Sequence, residues 1–202
     1  MKDTVSVREV AVTPLKEHNI LMEDGVPLLE YRLLIPSVDG AGKGVTAIRN
    51  FYENMARAYV AHAARPLLAR GRGLYENCEE KRRRFTFCRL LYTHDYEVTA
   101  NEEGLFSCKR EIMLRQKGRV LWQQSHAETF SLATGHLLPL PLFVPRAELR
   151  KVARQYRQRP RRLRRASFFV RGNRVFVLLQ TDKGTQIVQF PRTEGERHPP
   201  IT

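Results

Sequence analysis

Residues 85–131 read FTFCRLLYTHDYEVTANEEGLFSCKREIMLRQKGRVLWQQSHAETFS. Phe85–Ala100 is rich in Phe, Tyr, Leu and Thr, so it reads as a long strand. Asn101-Glu102-Glu103-Gly104 is a hairpin loop. Leu105–Gln116 and Val120–Ser131 read as two further strands joined across Lys117-Gly118, a two-residue turn. Pairing outward from that turn sets Met113 opposite Trp122 and Leu114 near Leu121. Apolar cross-strand pairs of this kind stabilise a sheet by a few tenths to about 1 kcal/mol each. Three strands with no helix between them are an antiparallel meander.

The segments on either side extend this pattern. Val5, Val7, Val10 and Val12 keep close to a period of two, which predicts a strand from Thr4 to Thr13 ended by Pro14. Glu23-Asp24-Gly25 is a turn, and Leu28–Ile35 is a second strand stopped by Pro36. Ser37–Gly44 is Gly-rich, but Gly42-Lys43-Gly44-Val45 supplies no hydroxyl after the Lys, so it reads as a plain loop and not a phosphate cradle. Val45, Ile48, Tyr52, Met55, Tyr59, His62, Pro66 and Leu67 recur at three- and four-residue spacings, one face of a long helix that Pro66 should kink or restart. Pro145 opens a second helix with Leu149, Val152, Ala153 and Tyr156 as its apolar stripe. Ser167–Val170, Val175–Leu179 and Thr185–Phe190 are strands, the first two joined at Gly172-Asn173 and the third following Asp182-Lys183-Gly184. The expected architecture is therefore α+β: an antiparallel sheet of meanders packed against one long helix, plus a shorter basic helix. Residues 1–192 form one domain and 193–202 a disordered carboxy-terminal tail.

Composition narrows the function classes. With 202 residues and 42% hydrophobic content, the chain can bury one substantial core. Net charge is +14 and unevenly spread. Residues 1–50 carry 6 basic and 7 acidic residues, and residues 151–202 carry 13 and 3. Such asymmetry describes partners and not fold. Cys78, Cys88 and Cys108 make no disulfide framework or zinc spacing and read as reduced thiols. Met1–Val7 has no apolar run of signal-peptide length, and Leu137–Val144 is too short to span a bilayer, so a cytoplasmic location is expected.

The sequence holds no nucleophile elbow, zinc-helix motif or P-loop. His94-Asp95 and His126 with Glu128 are the nearest approach to an acid/base pair, the second pair sharing one face of a strand. A His-Glu pair on a solvated strand face is commoner than a catalytic one. The chain is expected not to be an enzyme and to need no cofactor or metal.

Several phrases resemble the C-terminal domain family of RsiV, a membrane-anchored anti-sigma factor that senses lysozyme. The family also occurs in some peptidoglycan deacetylases and in many uncharacterised bacterial proteins. Tyr31–Pro36 is similar to its strand ending in Tyr-Pro, although here the two residues are separated. Ala47-Ile48-Arg49-Asn50-Phe51-Tyr52 is similar to the start of its long helix, with Arg49 inserted. Phe130–Leu140 resembles its Phe-Asp-Leu-x-Thr-Gly-x-x-Leu-x-Leu phrase with Ser131 in place of Asp, and Pro141-Leu142-Phe143 resembles the Asp-Leu-Phe that follows. Phe168-Phe169 with its hairpin resembles the family's Phe-Tyr strand. The resemblance covers Leu28 to Phe190 and implies a non-enzymatic binding or regulatory domain. Lysozyme, the ligand it implies, is itself strongly cationic, and like charges repel over about 8 Å at physiological salt, which disfavours that ligand here.

Arg146–Arg174 holds 12 Arg or Lys against Glu148 alone. The candidate polyanion-binding residues are Arg146, Arg150, Arg154, Arg157, Arg161, Arg162, Arg164 and Arg165. An acidic protein, a nucleic acid or another polyanion would satisfy them, and a solvated helix face would carry the same charge without a ligand. A cell-wall hydrolase is a remoter alternative, since no metal triad accompanies it.

Overall fold

Two long strands, β1 (Ala11–Glu23) and β2 (Val26–Asp39), form a hairpin at the amino-terminal end. The computed structural model describes residues 9–81, 86–102, 104–159, 163, 166–181 and 184–193. Thr4–Arg8 of the expected first strand and residues 194–202 of the expected tail lie outside them. Pro14 does not end β1 and Pro36 does not end β2, because the two prolines face each other across the ladder. An antiparallel pair that exchanges no ladder bonds loses nothing when both residues lack an N–H.

Asp39 leads into a long helical stretch. It comprises α1 (Lys43–His62), a π-turn at Ala63–Leu67 and α2 (Leu68–Glu80). Gly44, read from sequence as loop, lies in the first turn of α1. Pro66 interrupts the α-helical pattern, which resumes at Leu68. It sits inside the π-turn, where Leu68 N–H donates to Ala63 C=O five residues back, so the missing Pro donor is absorbed by one wide turn. The buried stripe departs from the expected line. Val45, Ile48 and Tyr52 are buried as expected and Leu67 with them, but Ala56, Ala63 and Gly71 replace His62 and Pro66, both of which are exposed.

The helix lies along β2 and returns the chain to its beginning, where Gly71 packs against Leu28. β3 (Leu90–Glu102) therefore enters beside β2 in the same direction, Leu29 opposite Leu90 and Leu33 opposite His94. The antiparallel sheet expected from the strand order is thus corrected to a mixed one, because a helical crossover makes parallel neighbours. β4 (Leu105–Gln116) and β5 (Arg119–Ser131) follow antiparallel, giving five strands in the order β1-β2-β3-β4-β5. The Met113–Trp122 pairing is also corrected. Leu114 pairs with Trp122, and Arg115 with Val120, because a bulge shifts the register by one residue.

The helix-facing side of this sheet carries Leu29, Leu33, Ile35, Tyr92, Phe106 and Leu114, packed on Val45, Ile48 and Tyr52 of α1. Phe51, Tyr52, Phe106 and Phe130 meet edge-on at centroid separations of 5.2–6.1 Å. Each aromatic contact adds about 0.5–1.5 kcal/mol beyond its burial. Arg49 ties the helix to the end of β2 by donating to Val38 C=O at 3.0 Å and pairing with Asp39 at 3.0 Å. The helix start is seated on the turn after β5. A Cβ on Gly44 would lie 2.2 Å from Leu132 O, and Gly135 has φ 72 with no room for a Cβ beside Ala47. The Ser131–Gly135 part of the family-like phrase is therefore the seat of the helix.

The other side of the sheet is covered at one end by a separate three-stranded sheet, β6 (Phe168–Arg171), β7 (Arg174–Thr181) and β8 (Gly184–Pro191). Thr129 Oγ1 donates to Phe168 C=O at 3.2 Å, and Val170 N–H donates to Ser107 Oγ at 3.0 Å. A 3₁₀ turn at Leu140–Leu142 precedes α3 (Arg146–Gln155). Leu149, Val152 and Ala153 of α3 close a second core with Phe143, Phe168, Val177 and Leu179. The architecture is α+β, with a five-stranded mixed sheet, a three-stranded sheet and one long helix.

Candidate functional site

α3 begins after Pro145, whose ψ of 141° ends the extended approach. Leu149, Val152 and Ala153 face the core, so Arg146, Arg150 and Arg154 fall together on the opposite, exposed face at a spacing of four. Lys151 is paired with Glu148 at 2.7 Å, whereas none of the three arginines meets a carboxylate among the described residues. The helix closes in a Schellman motif. Gln158 N–H donates to Ala153 C=O at 2.8 Å and Arg157 N–H to Arg154 C=O at 3.2 Å, with Arg157 at φ 51 in the left-handed position that Gly usually occupies. Arg157 is exposed just past the helix. The remaining candidates, Arg161, Arg162, Arg164 and Arg165, lie outside the described residues.

The His126–Glu128 pair is not brought together as an acid and a base. Glu128 accepts from Arg110 at both oxygens, Nε to Oε2 at 2.8 Å and Nη2 to Oε1, while His126 Nε2 lies 3.4 Å from Gln124 Oε1. His94 and Asp95 point to opposite sides of β3, one buried and one exposed.

Instead the structure assembles a polar cluster under the long helix. Arg110 is 5% exposed and Glu128 11%. Arg110 Nη1 donates to Tyr59 Oη at 2.7 Å and lies 3.4 Å from His94 Nε2. His94 Nδ1 is 2.7 Å from Leu34 C=O, an acceptor only, so Nδ1 carries the proton and Nε2 presents its lone pair to Arg110. Burial first, and the Arg110 charge after it, outweigh the Leu34 hydrogen bond and hold His94 down at about 4. Burial pushes the neighbouring Cys108 thiol up to about 12, so it is not a nucleophile at neutral pH. The cluster had one sequence signal. Arg110 occupies the helix-facing phase of β4 with Phe106, Cys108, Ile112 and Leu114, a charge in an apolar row.

On the opposite side of the sheet Glu30 is buried at 4% and meets Arg32, Arg89 and His18. Burial raises its carboxyl, but the guanidiniums of Arg89 and Arg32 more than offset this and bring it to about 2. No group of His, Cys, Asp and Glu among the described residues is arranged to hold a metal ion.

Two adjoining hollows flank the outer edge of β5. One, of about 450 Å³, is lined by Gln124, His126, Gln158 and Gln180 with Leu163 and Leu178. The other, of about 420 Å³, lies against Ala127, Glu128 and Thr129, with Leu137–Leu140 on its far wall. Ala166 and Ser167 line both.

No family model and no curated protein matches the sequence. Solved structures do match the fold. A member of the DUF3298 family from Bacteroides fragilis superposes with a TM-score of 0.62 at 8% identity, covering 92% of this chain and 92% of that one. A DUF3298 family protein from Pseudomonas aeruginosa gives a TM-score of 0.47 at 11% identity over 92% of each chain. At such identity the likeness is one of fold. The RsiV C-terminal domain is a known relative of that family. No helix among the described residues is long and apolar enough to cross a membrane.

Proposed function

We propose that this chain is a non-enzymatic binding module of the RsiV-like kind, working in the cytoplasm, and that it recognises an anionic partner through the exposed arginines of α3. The observation that carries the reading is the stripe Arg146, Arg150 and Arg154, held by a buried opposite face and meeting no carboxylate among the described residues. A guanidinium left in water keeps its full capacity for bidentate contact with carboxylate or phosphate. The non-enzymatic part is supported by the fate of the titratable groups: Glu128 is committed to Arg110, and His94 is held neutral between Leu34 and Arg110. Lysozyme, the ligand of the RsiV relative, is disfavoured by its own positive charge.

Retention on heparin resin across a salt series tests the reading. The wild-type chain should bind with affinity falling steeply as salt rises. Replacing Arg146, Arg150 and Arg154 together by Ala should flatten that dependence by about three contacts' worth, while the folded state is preserved because none of the three is buried. Retention that is unchanged in the triple variant would overturn the proposal.

A further inference from the structure

β5 is the last strand of the five-stranded sheet and has β4 on one side only. Its outward groups can be assigned from the bonds it makes. Ser131 N–H donates to His136 C=O, Thr129 C=O accepts from Leu138 N–H, and Ser125 C=O accepts from the Gln180 amide at 3.5 Å. Odd-numbered residues of this stretch therefore point away from β4, and even-numbered ones point toward it, as Glu128 C=O does in accepting from Ser107. Ala127 has the outward parity, yet no protein group is bonded to its outward N–H or C=O among the described residues. It is 5% exposed and lies against the hollow walled by Leu137–Leu140. Backbone polar groups in so enclosed a place are normally paired. The Leu137–Leu138 segment already pairs with one end of this edge, bridging Phe130 and showing that the edge accepts a strand.

We infer that the outer edge of β5 from Gln123 to Ala127, short of the Thr129 carbonyl that Leu138 already holds and with the Gln180 amide giving up its 3.5 Å bond to Ser125 C=O, docks an extended acidic peptide, which adds to the sheet as a sixth strand. The inference rests on the proposed anionic partner and names its class. Strand addition supplies main-chain hydrogen bonds, and alternate side chains enter the pockets beside them. Here those pockets offer Leu137, Leu138 and Leu178, and Leu137 is 54% exposed. Acidity follows from charge. Gln158, which lines the groove, sits between the exposed Arg157 and Arg159. Among the described residues the one carboxylate against the groove, Glu128, is neutralised by Arg110. A second copy of the chain would bring another +14 to the same edge.

A fluorescein-labelled twelve-residue peptide alternating Val and Glu is the probe, with two partners N-methylated on all Val or on all Glu residues. In a strand successive N–H groups point to opposite edges, so one methylation pattern should weaken binding at least about tenfold and the other should leave it intact. Hydrogen exchange at the Ala127 amide should slow when the parent peptide is bound. Equal binding of all three peptides would overturn strand docking while leaving the anionic partner standing. So would heparin retention without peptide binding. Loss of both peptide and heparin binding would overturn the two proposals together. A concentration-dependent dimer that the peptide fails to disrupt would assign the edge to self-association and overturn the inference.

Discussion

Arg110 and Glu128 meet diagonally across neighbouring strands in a two-point ion pair almost wholly out of water, beneath the helix that covers the sheet. Removing one partner strands the other's charge, which costs about 3–5 kcal/mol, whereas replacing both by apolar residues of similar size is often neutral. Arg110→Met alone should therefore lower urea stability by about that amount, and adding Glu128→Leu should restore most of it. Tyr59 and His94 also bond Arg110, so recovery should stop short of complete. A double variant no more stable than the single one would show that the pair is not the source of the loss.

His94 makes stability depend on pH. Its folded value of about 4 lies below the value near 6.5 of an unfolded chain. The unfolded state therefore takes up the proton first, and stability that is full above pH 6.5 falls as pH drops toward 4. The whole effect is about 3 kcal/mol. Denaturation between pH 7 and 5 isolates it from Glu30, which acts below 4.5. His94→Gln should flatten that slope markedly. His126, lowered in the same direction mainly by burial, should account for the remainder.

Two glycines in one helical stretch should respond with opposite signs. An added Cβ at Gly44 meets the Leu132 carbonyl at 2.2 Å, and at Gly73 it meets nothing within 4 Å. Gly44→Ala should cost about 3 kcal/mol by forcing α1 off its seat. Gly73→Ala should stabilise by about 1 kcal/mol through helix propensity. Thermal melts of the two variants decide it, and equal shifts would refute the seating argument.

Arg157 holds a left-handed conformation that costs a non-glycine residue free energy. Arg157→Gly should raise stability by about 0.5–1 kcal/mol, because Gly is the usual residue at this helix-closing position. The same change should weaken heparin retention. Stability and binding would then move in opposite directions, as they do when charge and not folding is what the position contributes.

Local features were legible in the residues. The alternation Phe106, Cys108, Ile112, Leu114 and the Lys117-Gly118 turn identify β4, β5 and their hairpin, since period and turn chemistry are properties of a few neighbouring residues. The Arg146, Arg150, Arg154 stripe follows from helical spacing for the same reason. The direction of β3 does not. It depends on a helix long enough to return the chain to Leu28, and on a π-turn at Pro66 that kept the helix going where its sequence suggested a break. The Leu114–Trp122 register likewise depends on a bulge that no residue near it announces. Arg110 was visible as a charge in an apolar row, but Glu128 as its partner required that register. The groove on β5 joins segments near residues 124–129, 137–140 and 158–180, which only tertiary packing brings together. Short-range spacing determined which faces are apolar and which are charged; long-range closure decided which of those faces meet.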